Sequence, residues 1–165
     1  MKIRRLTPKF LCISAAIAAL YTCLTLALQP LSYGGVQCRV SEALTVLPLF
    51  FPEAVPGLFA GCFLANFLSP AAVLPDVIFG SLATLAAAAL TYKLRRRKTW
   101  IALLPPVLIN AVVVGFLVNA FYAPEVPLLL CMLQVGAGQL LAVYAGGGAL
   151  YAAMKKAHIR GLPRV

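Results

Sequence analysis

The chain runs to 165 residues, 62% of them hydrophobic and only 11% charged, with a mean hydropathy of +0.96. That balance excludes an ordinary water-soluble domain and makes lipid the expected solvent. The net charge of +10 does not signal nucleic acid either, because nearly all 14 basic residues gather in three short clusters outside the apolar runs, with no interleaved aromatic residue beyond Trp100.

The length suits an all-α fold, a bundle of about six transmembrane helices forming one domain over residues 1–165, with basic tails at 1–9 and 155–165. The basic tail leads into residues 10–28, a charge-free run long enough to cross the hydrocarbon core. It makes a poor signal peptide, being longer than a typical h-region and lacking a small-residue cleavage site before a soluble domain. Three further runs follow. Residues 43–51 are short and contain Pro48, residues 54–69 begin at a turn marked by Pro52, Pro56 and Gly57, and residues 71–92 start in earnest at Pro75 and Asp76. Residues 100–121 and 127–154 are two long spans.

The basic clusters fix the count of crossings. Residues 2–9, 93–98 and 155–164 should all face the cytoplasm, so each interval between clusters needs an even number of crossings. The short 43–51 segment must therefore cross or re-enter, giving six helices with both termini inside. Residues 29–41, the 69–70 turn and the 123–125 loop then lie outside, 52–56 inside, and Arg39 is the one basic residue stranded outside. There is no internal repeat of the kind secondary transporters carry. No GxxxxGK[ST] phosphate loop is present, so ATP-driven transport would need ATP handled by another polypeptide.

Ionised groups are expensive at membrane depth, which singles out the four acids Glu42, Glu53, Asp76 and Glu125. Each follows a Ser or Pro at a predicted helix start, so helix capping competes with a binding role. Sidedness separates them: Glu53 reads as a cap or partner contact, whereas Glu42, Asp76 and Glu125 share the outer face with Arg39, where an imported solute arrives. Asn66, Asn110, Gln134 and Gln139 extend polarity into the membrane, either as interhelical hydrogen bonds or as a pocket. Gln134 and Gln139 are five apart and do not share a face well.

The five cysteines form no CxxC pair and read as small buried residues; His158 lies in the basic tail. No metal site, cofactor or histidine-based catalysis is expected. Ser14, Ala15, Ala18 and Ala19 form two interleaved small-xxx-small pairs, suited to docking a partner helix or to internal packing. Gly136, Gly138, Gly146, Gly147 and Gly148 smooth the last helix and could bend or loosen it. Tyr92, Trp100, Tyr144 and Tyr151 read as interfacial or packing aromatics.

The stretch RVSEALTVLPLFFPEAVPGLFAGCFLANFLS (residues 39–69) and DVIFGSLATLAAAALTY (76–92), with AAIAALY (15–21) and LPPVLINAVVVG (104–115), resemble the QueT queuosine-precursor transporter family, the S-components of energy-coupling factor (ECF) importers. The resemblance implies six helices and a solute site near the outer side, under the first loop and the loop between helices three and four. It also implies an Ala-x-x-x-Ala surface, here Ala15 and Ala19, that meets the transmembrane T-component of a complex with two ATPase subunits. The implied cargo is 7-aminomethyl-7-deazaguanine or a close relative, taken up across the bacterial cell membrane. Glu42 and Asp76 would accept its N–H donors and cation, Arg39 and Asn110 would donate to its carbonyl, and Asn66, Gln134 and Gln139 complete the expected site. The family often carries a Glu where this chain has Gln139, which bears on cation binding. The competing reading is an S-component or solitary carrier for another vitamin-like solute. A membrane enzyme would need a nucleophile, base or metal that the sequence does not supply.

Overall fold

A computed structural model describes residues 7–32 and 39–157; Cys38, His158 and the outer parts of both basic tails lie outside them. Among the described residues all regular structure is helical, in six helices whose bounds follow the apolar runs of the sequence. They are α1, Pro8–Ala27; α2, Val40–Leu49; α3, Ala54–Leu68; α4, Asp76–Leu94; α5, Thr99–Phe121; and α6, Leu128–Lys156, with a short helical turn, Gln29–Ser32, after α1. Helices α1, α4, α5 and α6 are long and apolar enough to cross a membrane, at 20, 19, 23 and 29 residues.

Local chemistry sets several of these boundaries. Thr7 caps α1, its side chain accepting the Phe10 N–H at 3.2 Å, and Pro8 follows at the first helical position, where its missing N–H costs nothing. At Leu103 the first turn of α5 closes before Pro105 and Pro106, which have no N–H to continue the hydrogen-bond ladder. Two helices carry wide π-type turns, Asp76–Gly80 at the start of α4 and Leu141–Gly146 within α6.

The shortest helix is the centre of the bundle. Eight of the ten residues of α2 are buried, and it touches α1, α3, α4 and α6. It winds as a tight 3-10 helix, in which each residue advances about 2.0 Å rather than 1.5 Å. Irregular backbone at membrane depth is tolerated where protein rather than lipid surrounds it. Around this centre the long helices turn apolar side chains outward: Leu11, Leu82, Leu108 and Leu129 are all exposed.

Close approaches by glycine draw the helices together. A Cβ on Gly61 of α3 would come within 2.7 Å of Tyr21 Cβ and 2.9 Å of the Ala18 carbonyl oxygen on α1. A Cβ on Gly115 of α5 would meet the Met132 backbone of α6 at 2.7 Å, and Gly147 of α6 lies against the Ala43 carbonyl of α2. The glycines of α6 thus serve close packing at 146 and 147, and Gly146 also ends the π-type turn. Gly61→Ala is expected to force α1 from α3 and cost about 1–3 kcal/mol, read as a lowered melting temperature of the detergent-purified protein. An unchanged melting temperature would mean that the two helices separate freely.

The interleaved small pairs of α1 divide between two faces. Ser14 and Ala18 turn toward α3, the Ser14 hydroxyl donating to the Glu53 carbonyl at 2.9 Å, whereas Ala15 and Ala19 lie exposed on the outer face. The cysteines divide similarly. Cys62 and Cys131 are buried as expected, but Cys12 and Cys23 are exposed on α1, a correction with a simple cause: a thiol facing lipid loses no apolar contact by not facing the core.

Candidate functional site

The buried polar side chains form one hydrogen-bonded seam through the bundle. At its centre is Glu42, in the first turn of α2 and 1% exposed. Tyr21 of α1 donates its hydroxyl to Glu42 Oε1 at 2.5 Å, and Asn110 of α5 donates Nδ2 to Oε2 at 3.3 Å. The carboxylate is therefore no helix cap; it joins three helices through two side-chain donors. The Thr45 hydroxyl donates to the Glu42 carbonyl at 2.6 Å, and Thr25 donates to Ser41 at 2.7 Å, so the neighbouring backbone is pinned as well.

Arg39, just before α2 and 4% exposed, donates Nε to the Ser32 carbonyl at 3.4 Å and Nη1 to Cys62 Sγ at 3.9 Å. Its guanidinium is near enough to act by charge on Glu42. Cys62 continues the seam, its sulfur also accepting from Thr84 at 3.4 Å and Asn66 Nδ2 at 3.6 Å. Asn66 Nδ2 further donates to the Asp76 carbonyl at 2.9 Å, tying α3 to α4.

Asp76 closes the seam at the other end. Its Oδ2 accepts the Tyr122 hydroxyl and, at 3.3 Å, the Val73 N–H. Tyr122, immediately beyond α5, also lies 3.1 Å from both the Ala71 carbonyl and the Val73 N–H. Burial, and after it the bond to Asp76, push the Tyr122 phenol above its ordinary value, so it stays protonated and donates. Asp76 thus both caps the turn before α4 and anchors the segment between α3 and α4.

Among the described residues three buried side-chain oxygens have no partner: Thr91 Oγ1 on α4, and the amide carbonyls Asn110 Oδ1 and Gln139 Oε1. Asn110 is oriented by its donation to Glu42, which turns its carbonyl away from that carboxylate. Gln139 stands near the level of Asn110 along the α5–α6 contact. Gly115 meets Met132 and Gly136 meets Ala111, an antiparallel register that sets Gln139 within a turn of the level of Asn110. A buried unpaired carbonyl costs about 1–3 kcal/mol, which makes the two amides candidates for a ligand's donors.

Six of the polar residues marked by the sequence, Arg39, Glu42, Asn66, Asp76, Asn110 and Gln139, are 4% exposed or less. All but Gln139 are linked in the seam. Gln134 is half-buried, about 140° around the helix from Gln139, and no hydrogen bond ties it to the seam among the described residues. Glu125 is exposed before α6, and Glu53 is buried at the start of α3. Tyr21, Cys62, Thr84 and Tyr122 are members that the sequence reading missed. The available signal was a tyrosine in mid-helix in an apolar chain, whose hydroxyl requires a partner once buried. Among the described residues no three His, Cys, Asp or Glu side chains are grouped to hold a metal ion.

Lipid-length apolar helices around a buried seam of ionisable and amide groups define a multi-pass helical membrane protein with a polar centre of the kind transporters use. The QueT transporter family matches residues 11–156, and the chain belongs to that family. The queuosine precursor transporter QueT of Lactococcus lactis subsp. cremoris (strain MG1363) is 44% identical over 73 residues. That match covers 43% of this chain and 42% of the relative, so less than half of the relative's length is spanned. No solved structure matches the chain.

Proposed function

We propose that the protein is the substrate-binding subunit of an ECF-type importer in the bacterial cell membrane, taking up 7-aminomethyl-7-deazaguanine or a close relative. The observation that carries this reading is the buried Glu42 carboxylate held by Asn110, whose own carbonyl is unpaired, with a second unpaired carbonyl, Gln139, near the level of Asn110 on α6. A carboxylate offers about four lone-pair sites, of which Tyr21 and Asn110 occupy two, leaving two for the paired N–H donors of a guanine-type edge. The two amide carbonyls accept its remaining donors, and the Arg39 guanidinium suits the ring carbonyl. Asp76, at the far end of the seam, answers the aminomethyl cation.

In this reading the whole chain works as one transmembrane unit with both basic tails cytoplasmic, following the distribution of Lys and Arg. ATP is hydrolysed by two ATPase subunits, and the T-component docks on the exposed Ala15 and Ala19 of α1. The family match and the relative's printed activity support the cargo class.

Calorimetric titration of the detergent-purified protein with the aminomethyl precursor, its cyano analogue, queuine and guanine tests the reading. Submicromolar binding of a deazaguanine with rejection of guanine is the expected result. Folded protein that binds none of them would overturn the assigned cargo and leave a carrier for another vitamin-like solute.

A further inference from the structure

A second feature lies away from the polar seam, between the start of α5 and the last turns of α6. There an open pocket of about 510 Å³ has Lys98, Trp100, Leu103, Tyr144, Gly148 and Tyr151 among its lining residues, with Thr99 beside them. The Tyr144 hydroxyl donates to the Trp100 carbonyl at 2.7 Å, fixing one wall, and Tyr151 packs on Phe50 with ring centroids 5.4 Å apart, fixing the other. Gly148 is unlike the two glycines before it. Gly146 and Gly147 lie against α2, but a Cβ on Gly148 would meet nothing within 4 Å. The absence of a side chain there serves no helix contact; it keeps the pocket open.

The charge around the pocket has one sign. Lys98 lines it and closes the basic run that begins at Lys93; Arg96, Arg97 and Lys98 are all exposed, while Arg95 stacks back on Tyr92 at 4.1 Å. None of the four acids lines the pocket, Glu42 and Asp76 belonging to the seam, Glu53 being buried at the start of α3 and Glu125 preceding α6. We propose that this pocket binds an anionic phospholipid, its acyl chain against Trp100, Leu103 and Tyr151 and its phosphate at Lys98. A free phosphate has no use for a lining that is mainly aromatic and aliphatic. A neutral lipid has no use for the cations. An anionic lipid uses both, and the end of a spanning helix, with interfacial Trp and Tyr, is where its headgroup lies.

Trp100 is the only tryptophan in the chain; being exposed, it also meets bulk lipid, so the difference between lipids and between variants is what reports on the pocket. The full-length protein in detergent micelles is titrated with brominated phosphatidylglycerol, brominated phosphatidylcholine, and phosphatidylglycerol together with inorganic phosphate. Phosphatidylglycerol is expected to quench Trp100 at markedly lower mole fraction than phosphatidylcholine, with no displacement by millimolar phosphate. Lys98→Gln, at an exposed position, should weaken that quenching about fivefold, the effect of one cation near an anionic headgroup. Gly148→Leu, whose Cβ would meet nothing within 4 Å, should weaken it comparably while not lowering the melting temperature of lipid-free protein. Equal quenching by the two lipids, displacement by phosphate, or wild-type quenching in Gly148→Leu would each overturn the proposal.

Discussion

Glu42→Gln is expected to remove deazaguanine binding from the calorimetric range while the protein still purifies as a folded monodisperse species. The substitution keeps the volume of the buried side chain and can still accept from Tyr21 at its carbonyl. It removes the charge and replaces one acceptor oxygen with a donor, which then faces the Asn110 amide donor and the N–H edge of the ligand. Each ligand N–H bond to a charged acceptor is worth about 1.5–3 kcal/mol, so losing even one costs roughly tenfold to over a hundredfold in affinity. Tyr21→Phe provides the graded comparison. It leaves the charge and removes one of the two donors that orient the carboxylate, so affinity should fall by a smaller factor. Wild-type affinity in Glu42→Gln would place the ligand elsewhere in the bundle and reduce Glu42 to a strut between α1, α2 and α5.

The architecture was legible because two strong signals agree. Apolar runs mark the helices, and basic clusters mark the ends of those that reach water; the observed bounds of α1, α3, α4, α5 and α6 fall within a few residues of the runs. Helix α2 was harder. Its ten residues are too few for an ordinary span, and only the parity of the basic clusters required an element there. That it is a 3-10 helix at the centre of the bundle follows from contacts on several sides, which no local pattern records.

The site was legible in part for the same energetic reason. A Glu, Asp or Arg within an apolar chain stands out because burying it is costly, and so do Asn and Gln, though less sharply. The sequence could not say which polar groups meet. Glu42 and Asp76 both follow a helix-start signal, yet the first is bound by side chains from two other helices while the second also accepts a backbone N–H in the turn before α4. Cys62 and Thr84 escaped notice because in lipid-facing sequence they pass for small apolar residues; only the fold brings Arg39, ahead of α2, and Thr84 of α4 to the thiol beside Asn66 of its own helix. Gln134 and Gln139 illustrate the opposite case. Their spacing already argued against a shared face, and the structure buries one and leaves the other half-buried.

The division of α1 into two small-residue faces makes the partner reading sharply testable. Ala15→Trp should leave ligand binding and melting temperature unchanged, because the side chain is exposed and its neighbours in the bundle are untouched. Under the proposed function it should nonetheless abolish uptake by cells, since an indole on that face holds the T-component helix away at a contact built for methyl groups. Ala18→Trp, three residues along, should do the reverse in order. Ala18 is 6% exposed and its backbone lies within 2.9 Å of where a Gly61 Cβ would stand, so an indole there has no room between α1 and α3. That variant should melt at lower temperature and lose binding before transport is ever tested, because the same helix face carries Tyr21 to Glu42. Uptake at the wild-type rate in Ala15→Trp would remove the docking role from this face. Loss of uptake together with loss of binding would show instead that the outer face of α1 communicates with the seam.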